Sequence, residues 1–492
     1  MTGPPRRFGL SKSKITAFEQ CPKRLWLSVH RRDLAAQDEG AEARFATGHE
    51  VGAVACALLP HGLMVEAEPD LATALDTTRA LLDGGHDRPI FEATLEHDGV
   101  LVRIDVLEPD GAGGWHMAEV KSSTKAKEYH VGDLATQLWV ARNAHVSITS
   151  AAIRHIDSSF VLEREGDFKG LFADTDLMAA AEPVILTRAD VVLAARRALA
   201  GSEPDVVPGD HCNAPFGCEF ADYCRRDLPA EPEWPVEVLP GGAGKKWRAM
   251  GIADLRALDP HKLSDQARRV HAATMAGVID HDPVGAAGAM AGWTFPRTWL
   301  DFETIQFALP RWVGTRPYEQ IPFQFTAIVE DAGGGVATHE FLQLDDADPR
   351  RACAEALAAL PRTGAVIAYN AAFERGVIRK LATAFTDLAT ALDGLADRLV
   401  DLLPVTRAHW YHPDQRGSWS LKAVLPTIAP ALDYAALEVK HGGDAQAAYL
   451  EAIGERCTAE RRAALDVALR VYCGQDVEAM RVVARELGGE TR

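Results

Sequence analysis

The sequence predicts a mixed α/β protein of more than one domain, on three observations. A chain of 492 residues is longer than one hydrophobic core usually organises. Short apolar runs, several alternating with period two, precede helical stretches near both ends of the chain. Between them, PAEPEWPVEVLPGGAG at 229–244 carries four prolines and three glycines, too many for a regular element. With a softer break near 281–292, this gives a first domain over 1–228, a Pro/Gly linker and helical connector over 229–290, and a last domain over 291–492.

In the first domain, 12–31 and 43–59 read as helices. FEATLEHDGVLVRIDVLEP (91–109) reads as two strands around Asp98-Gly99, a hairpin signal. A third strand is expected at 115–123, a helix at 131–143 and a strand at 151–157. In the last domain, 297–304 reads as a strand. The runs 322–330 and 336–344 flank Asp331-Ala-Gly-Gly-Gly335, a second hairpin. A helix at 350–360, the apolar strand AVIAY and a helix at 371–383 follow.

Apolar residues make up 47% and charged residues 25%, which excludes a disordered, collagenous or disulfide-miniature protein. The formal charge of −18 argues against a basic protein that coats nucleic acid. However, residues 6–32 hold eight basic residues against Glu19, so the rest of the chain stands at −25. That asymmetry hints at polyanion contact, with a solvated basic face as the alternative. The chain has no apolar run of about 18 residues and no signal-type segment, so a soluble, cytoplasmic protein without membrane contact is expected. Its eight cysteines are then not expected to pair.

Three groups of residues carry chemistry. Strand alternation puts Asp105 on one face of its strand and Glu119 with Lys121 on one face of the next. Two carboxylates hold Mg²⁺ or Mn²⁺, and the lysine positions water or offsets transition-state charge. By spacing alone, such a set is more often a solvated strand face. The second group is Cys212, Cys218 and Cys224, spaced C-x5-C-x5-C in a Pro/Gly/Asn-rich loop, with Cys21 far upstream. This suggests a ligand loop; a Zn²⁺ site competes, though zinc favours shorter spacings. The third group is acidic. Asp301 and Glu303 share a strand face, Asn370 and Glu374 lie at a strand-to-helix junction, and Tyr472 and Asp476 sit four apart on a helix. Four acids meeting at one point repel unless metal ions lie between them, and two divalent ions flanking a phosphodiester would use such a site. Tyr472 would orient the attacking water.

These motifs carry resemblances. RIDVL (103–107) with MAEVKSST (117–124) resembles the core of the PD-(D/E)XK nuclease superfamily in its RecB-like branch. That likeness implies a restriction-endonuclease-like fold, with Gln137 in DLATQLWV as a site residue. It also implies a metal ligand from FATGHEVGAVA, either His49 or Glu50, with Glu50 preferred. One cysteine before this core and three after it resemble the AddB-type layout. This implies that Cys21, Cys212, Cys218 and Cys224 hold a [4Fe–4S] cluster, whose role would be to staple the ends of the domain and seat the basic N-terminal helix beside the site. D-x-E, then N-x-x-F-acid, then Y-x-x-x-D resembles the DnaQ-like DEDD exonucleases of the RNase H fold. VDLLP (400–404) and SWSLKAVLP (418–426) fall where that family has its Asp strand and Ser-Leu turn. Glu374 departs from the family's aspartate, which places the second metal in doubt; Asp401 is a weaker candidate behind the site. Over 8–490 the chain resembles a bacterial two-module family without an assigned activity.

The expectation is a two-site nuclease acting on nucleic acid, DNA before RNA. The alternative is a non-catalytic iron–sulfur nucleic-acid-binding platform with only the C-terminal site active. GGAGKKW (241–247) lacks the P-loop pattern and reads as linker. His409, His412 and His441 read as surface histidines, and Trp139, Trp293, Trp299 and Trp312 as core before base-stacking residues. Cys56, Cys353, Cys457 and Cys473 read as packing residues.

Overall fold

The computed structural model describes residues 9–37, 40–432, 434 and 437–489, so Arg6 and Arg7 of the basic segment lie outside the described residues. Contacts divide the chain into two units, Met1–Pro229 with Phe307–Glu319, and Ala230–Gln306 with Gln320–Arg492. Both are mixed α/β.

The first unit runs β1 (Leu10–Ser11), α1 (Lys12–Gln20), α2 (Pro22–His30), α3 (Ala41–Ala57), β2 (Leu63–Met64), α4 (Leu71–Asp83), β3 (Ile90–His97), β4 (Val100–Pro109), β5 (Trp115–Lys121), α5 (His130–Asn143), β6 (Ile148–Ile156), β7 (Phe172–Asp176), α6 (Met178–Ile185), α7 (Arg188–Ala200) and α8 (Ala221–Arg225). Its seven-stranded sheet has the order β2-β3-β4-β5-β6-β7, with β1 on β4. The helix expected over 12–31 is two helices. Pro22 bars the helical conformation from the residue before it, so Cys21 is extended (φ −163°, ψ 119°) and Pro22 opens α2. The β3–β4 hairpin turns on Asp98 and Gly99, both left-handed (φ 45° and 63°), as a tight two-residue turn requires. Helix α5 is buried along most of its length because Leu134, Leu138 and Ala141 pack on the sheet beside Ile104, Met117 and Ile153. Each such leucine contributes about 1.5–3 kcal/mol by leaving water.

Residues 307–319 belong to this unit although they fall between strands of the other in chain order. Ala308, Leu309 and Tyr318 cover Val51, Ile156 and Leu171. The Leu162 N–H donates to Thr315 O (3.0 Å), the Gly314 N–H to Leu162 O (2.8 Å), and the Tyr318 hydroxyl to Ser122 O. The last domain is therefore not the continuous 291–492.

The second unit runs α9 (Ala243–Ala249), α10 (Asp265–Ala276), β8 (Asp280–His281), α11 (Pro283–Met290), β9 (Arg297–Ile305), β10 (Ile321–Glu330), β11 (Val336–Leu342), α12 (Arg350–Ala358), β12 (Val366–Ala368), α13 (Ala372–Ala384), α14 (Ala389–Asp397), β13 (Leu399–Asp401), α15 (Leu402–His409), β14 (Trp410–Tyr411), α16 (Leu421–Ile428), α17 (Gly442–Ala452) and α18 (Ala459–Leu487). Its main sheet has the order β11-β10-β9-β12-β13, with β12 parallel to both neighbours and the other pairs antiparallel. Strand β10 is buried from Ile321 to Ile328 without alternation, because α12 and α18 both pack on it.

The segment 230–290 packs within this unit rather than forming a separate connector. GGAGKKW is likewise not an open linker. Gly241 and Gly242 are left-handed, α9 starts at Ala243, and Trp247 packs with Val236, Leu239 and Leu255. A Cβ at Gly244 would collide with the Val236 backbone, so glycine is required there. Trp139, Trp293, Trp299 and Trp312 are all buried. His412 and His441 cap short helical elements, and His409 faces Asp282 at 3.0 Å. Among the described residues, no helix is long and apolar enough to cross a membrane.

Candidate metal centres

In the first unit, β4 and β5 pair from Pro109 and Trp115 up to Val106 and Ala118, and the ladder stops there. Beyond that point the Asp105 carboxylate takes over from the backbone, accepting the Val120 N–H at 2.7 Å. Glu119, 1% exposed, stands beside it. Its Oε1 accepts Lys121 Nζ at 2.6 Å and also Lys12 Nζ from α1, while its Oε2 accepts Gln137 Nε2 from α5 at 2.5 Å. The two carboxylates respond oppositely. Burial and the neighbouring Glu119 push Asp105 up to about 7. Burial would also raise Glu119, but the two ammonium groups outweigh it and hold Glu119 low.

His49 and Glu50 do not join this group. Both are exposed on α3, whose buried positions are Val51 and Ala55, so the helix turns neither of them inward. Besides Glu119, Asp105 senses Glu92, on β3 at φ 54° and paired with Arg103 at 3.1 Å. Other basic residues of the N-terminal segment are occupied within the fold: Lys23 pairs with Glu203 (2.8 Å) and Arg24 with Glu219 (2.9 Å). That weakens the hint of polyanion contact.

In the second unit, β9 and α18 bring Asp301, Glu303 and Asp476 together, with ligand oxygens all within 4.8 Å of one another. Glu303 and Asp476 are each 7% exposed. Burial, then Asp476, Glu303 and Glu374, push Asp301 well above the usual carboxylate range. Burial and Asp476 raise Glu303 to about 8. Glu374, 3% exposed in the first turn of α13, is raised to about 8, chiefly by burial. It stands outside the close triad, and among the described residues its Oε2 has no hydrogen-bond partner. Asp401 accepts the N–H groups of Asn370 (2.9 Å) and Leu403 (3.0 Å), which holds the β12 and β13 ends together. The turn at Asn370 is left-handed (φ 72°), a conformation Asn tolerates. On the helix side, the Tyr434 hydroxyl donates to Asp476 Oδ1 at 2.5 Å, and Lys422 Nζ donates to the Tyr472 hydroxyl at 3.0 Å. Lys422 also lies over both tyrosine rings, 4.8–5.0 Å from their centroids.

Cys21, Cys212, Cys218 and Cys224 line one small pocket with Leu27, Pro208 and Phe220, and none is in a disulfide. Gln20 clamps the loop by donating to His211 O and Phe216 O, both at 2.7 Å. Burial raises the Cys218 and Cys224 thiols.

Residues 298–420 match the model of a family described as "Domain of unknown function (DUF2779)". No curated protein matches the chain. Among solved structures, "Crystal structure of SSO0001" aligns at 12% identity over 39% of this chain and 79% of its own, with a TM-score of 0.19.

The residues that the motifs miss are Lys12 at the first centre and Lys422 and Tyr434 at the second. The "KSK" around Lys12 reads as surface charge, and nothing local ties it to a glutamate 107 residues away. Lys422 lies inside the SWSLK stretch that carries the Ser-Leu turn.

Proposed function

We propose that this protein is a metal-dependent nuclease, acting on DNA in preference to RNA, with one acidic site on each unit. The observation that carries the reading is the triad Asp301, Glu303 and Asp476. Three carboxylates held within 4.8 Å at low exposure, with raised proton affinity, oppose folding and call for a divalent cation. The unpartnered Glu374 Oε2 beside them fits the same use. The sheet order β11-β10-β9-β12-β13, with Asp301 and Glu303 on the central strand, is compatible with an RNase H-like DEDD exonuclease domain. Asp105, Glu119 and Lys121 on splayed strands, with Gln137 on the packed helix, are compatible with a PD-(D/E)XK domain.

Mg²⁺ or Mn²⁺ at these carboxylates would polarise a phosphate oxygen and lower the pKa of a water. Lys121 would steady charge developing on the phosphate, and Gln137 fixes the orientation of Glu119. Tyr472, anchored by Lys422, would orient the attacking water. The test is cleavage of end-labelled single-stranded DNA and RNA with Mn²⁺. Lys121→Ala and Asp301→Ala should each remove one activity, and the double variant both. Equal binding by all four proteins without cleavage by any would leave only the binding platform.

As part of the same reading, the four cysteines that line one small pocket would hold a [4Fe–4S] cluster, with a zinc ion as the competing occupant. Anaerobically purified protein should be brown, absorbing near about 400 nm, and Cys212→Ser should bleach it. A colourless protein with stoichiometric zinc would replace iron.

A further inference from the structure

The carboxylates of the first centre already have cationic partners. Asp105 and Glu119 face two ammonium groups, and one carboxylate oxygen, Glu119 Oε1, accepts from both. Lys121 comes from the same strand as Glu119. Lys12 comes from elsewhere, and the fold goes to some length to bring it. Its neighbour Ser11 is pinned to the sheet through the β1–β4 pairing, with Leu10 opposite Val100 and Ser11 opposite Leu101. Helix α1 is tied down along its length. Thr16 donates to Asp133 at 2.7 Å, Arg188 bonds Glu19 at 2.5 Å, and Gln20 holds the cysteine loop. The Lys12 backbone is therefore fixed, and any displacement of its ammonium must come from the side chain.

A divalent cation entering this paired set would leave an excess of positive charge in a low-dielectric notch, where like charges a few ångströms apart repel strongly. One ammonium must turn away. We propose that Lys12 is a resident counter-cation of the first centre: it occupies the carboxylates in the metal-free protein, and the metal must displace it to bind. The inference rests on the nuclease reading of this unit. It has a consequence for the substrate. A displaced Lys12 ammonium, on a fixed backbone at the mouth of the notch, gains a new partner when a nucleic-acid phosphate arrives, so metal and polyanion assist one another in binding.

The test is Mn²⁺ affinity, read from the electron-spin-resonance signal of free Mn²⁺ in a titration of the full chain. Asp301→Asn and Asp476→Asn are introduced as background so that only the first centre is counted. Lys12→Met and Lys12→Gln, which remove the charge, should tighten Mn²⁺ binding about tenfold or more, and Lys12→Arg should bind as weakly as the background protein. A residue that only supported the fold would weaken binding when replaced, so Lys12→Gln binding equally or less tightly overturns the proposal while leaving the nuclease reading intact. No Mn²⁺ bound by any folded variant overturns both. Adding a short phosphorothioate oligonucleotide should tighten Mn²⁺ binding in the background protein and have less effect on Lys12→Gln. An equal effect on both would remove the link to substrate.

Discussion

Asp301→Asn should make the metal-free protein more stable and silence the second centre. Asn keeps the shape of Asp301 and removes one of the charges crowded against Glu303 and Asp476. Relief of strain of this kind at a functional site gives about 1–2 kcal/mol, or a few degrees in the transition of a unit this size. The effect has a pH signature. Asp301, Glu303, Glu374 and Asp476 all hold their protons more tightly in the fold than in the unfolded chain. Between about pH 4.5 and 8 the native state therefore binds more protons, and its stability falls as pH rises. The gain from Asn should be small at pH 5 and larger at pH 9. Mn²⁺ should reverse the order by stabilising the parent at pH 9 and not the variant. Cleavage by this centre should fall by about 10³-fold, which corresponds to about 4 kcal/mol of lost transition-state stabilisation. Thermal melts with and without chelator at both pH values, alongside the cleavage assay, check this. A variant less stable than the parent at pH 9 would mean that the triad is not strained.

Glu119→Gln should do the opposite to stability and the same to function. Here the carboxylate is matched by Lys12 and Lys121 and oriented by Gln137. Removing its charge takes away the carboxylate that accepts from both ammonium groups, and breaking a buried pair in this way costs about 3–5 kcal/mol. The loss should appear in the first unit's unfolding transition in urea and leave the second unchanged. Glu119 is held well below its usual range, so its contribution is present above about pH 5 and disappears as the pH falls through the folded value. The variant and parent should therefore converge in strong acid. Cleavage by the first centre should drop by about 10³-fold. The two centres thus form a pair of contrasts: one acid whose loss relieves the fold and one whose loss damages it.

Much of this was legible in the sequence, for local reasons. Alternation marks β3, β4 and β5, and Asp98-Gly99 marks their turn, so the adjacency of Asp105 and Glu119 followed from short-range pattern. Asp301, Glu303 and Asp476 were readable as one set only because the order of three motifs was considered together, since β9 and α18 lie far apart along the chain. The break at Cys21 was missed, although Pro22 announces it. The exposure of His49 and Glu50 was not legible, because helix α3 carries no strong apolar stripe from which its inward face could be read. Lys12 and the placement of 307–319 depend on contacts across more than 100 residues, and no local pattern encodes those.

The detour of residues 307–319 bears on how such a protein can be inherited. Joined modules are commonly imagined as beads that evolution threads or unthreads at a linker, and the Pro-rich stretch near 229 looks like the place to cut. Here that cut would strip Val51, Ile156 and Leu171 of the cover supplied by Ala308, Leu309 and Tyr318. The first unit borrows part of its own interior from a segment the ribosome makes some 80 residues later. The two halves are therefore bound to travel as a single gene, and the N-terminal half completes its fold only after the chain has passed well beyond it.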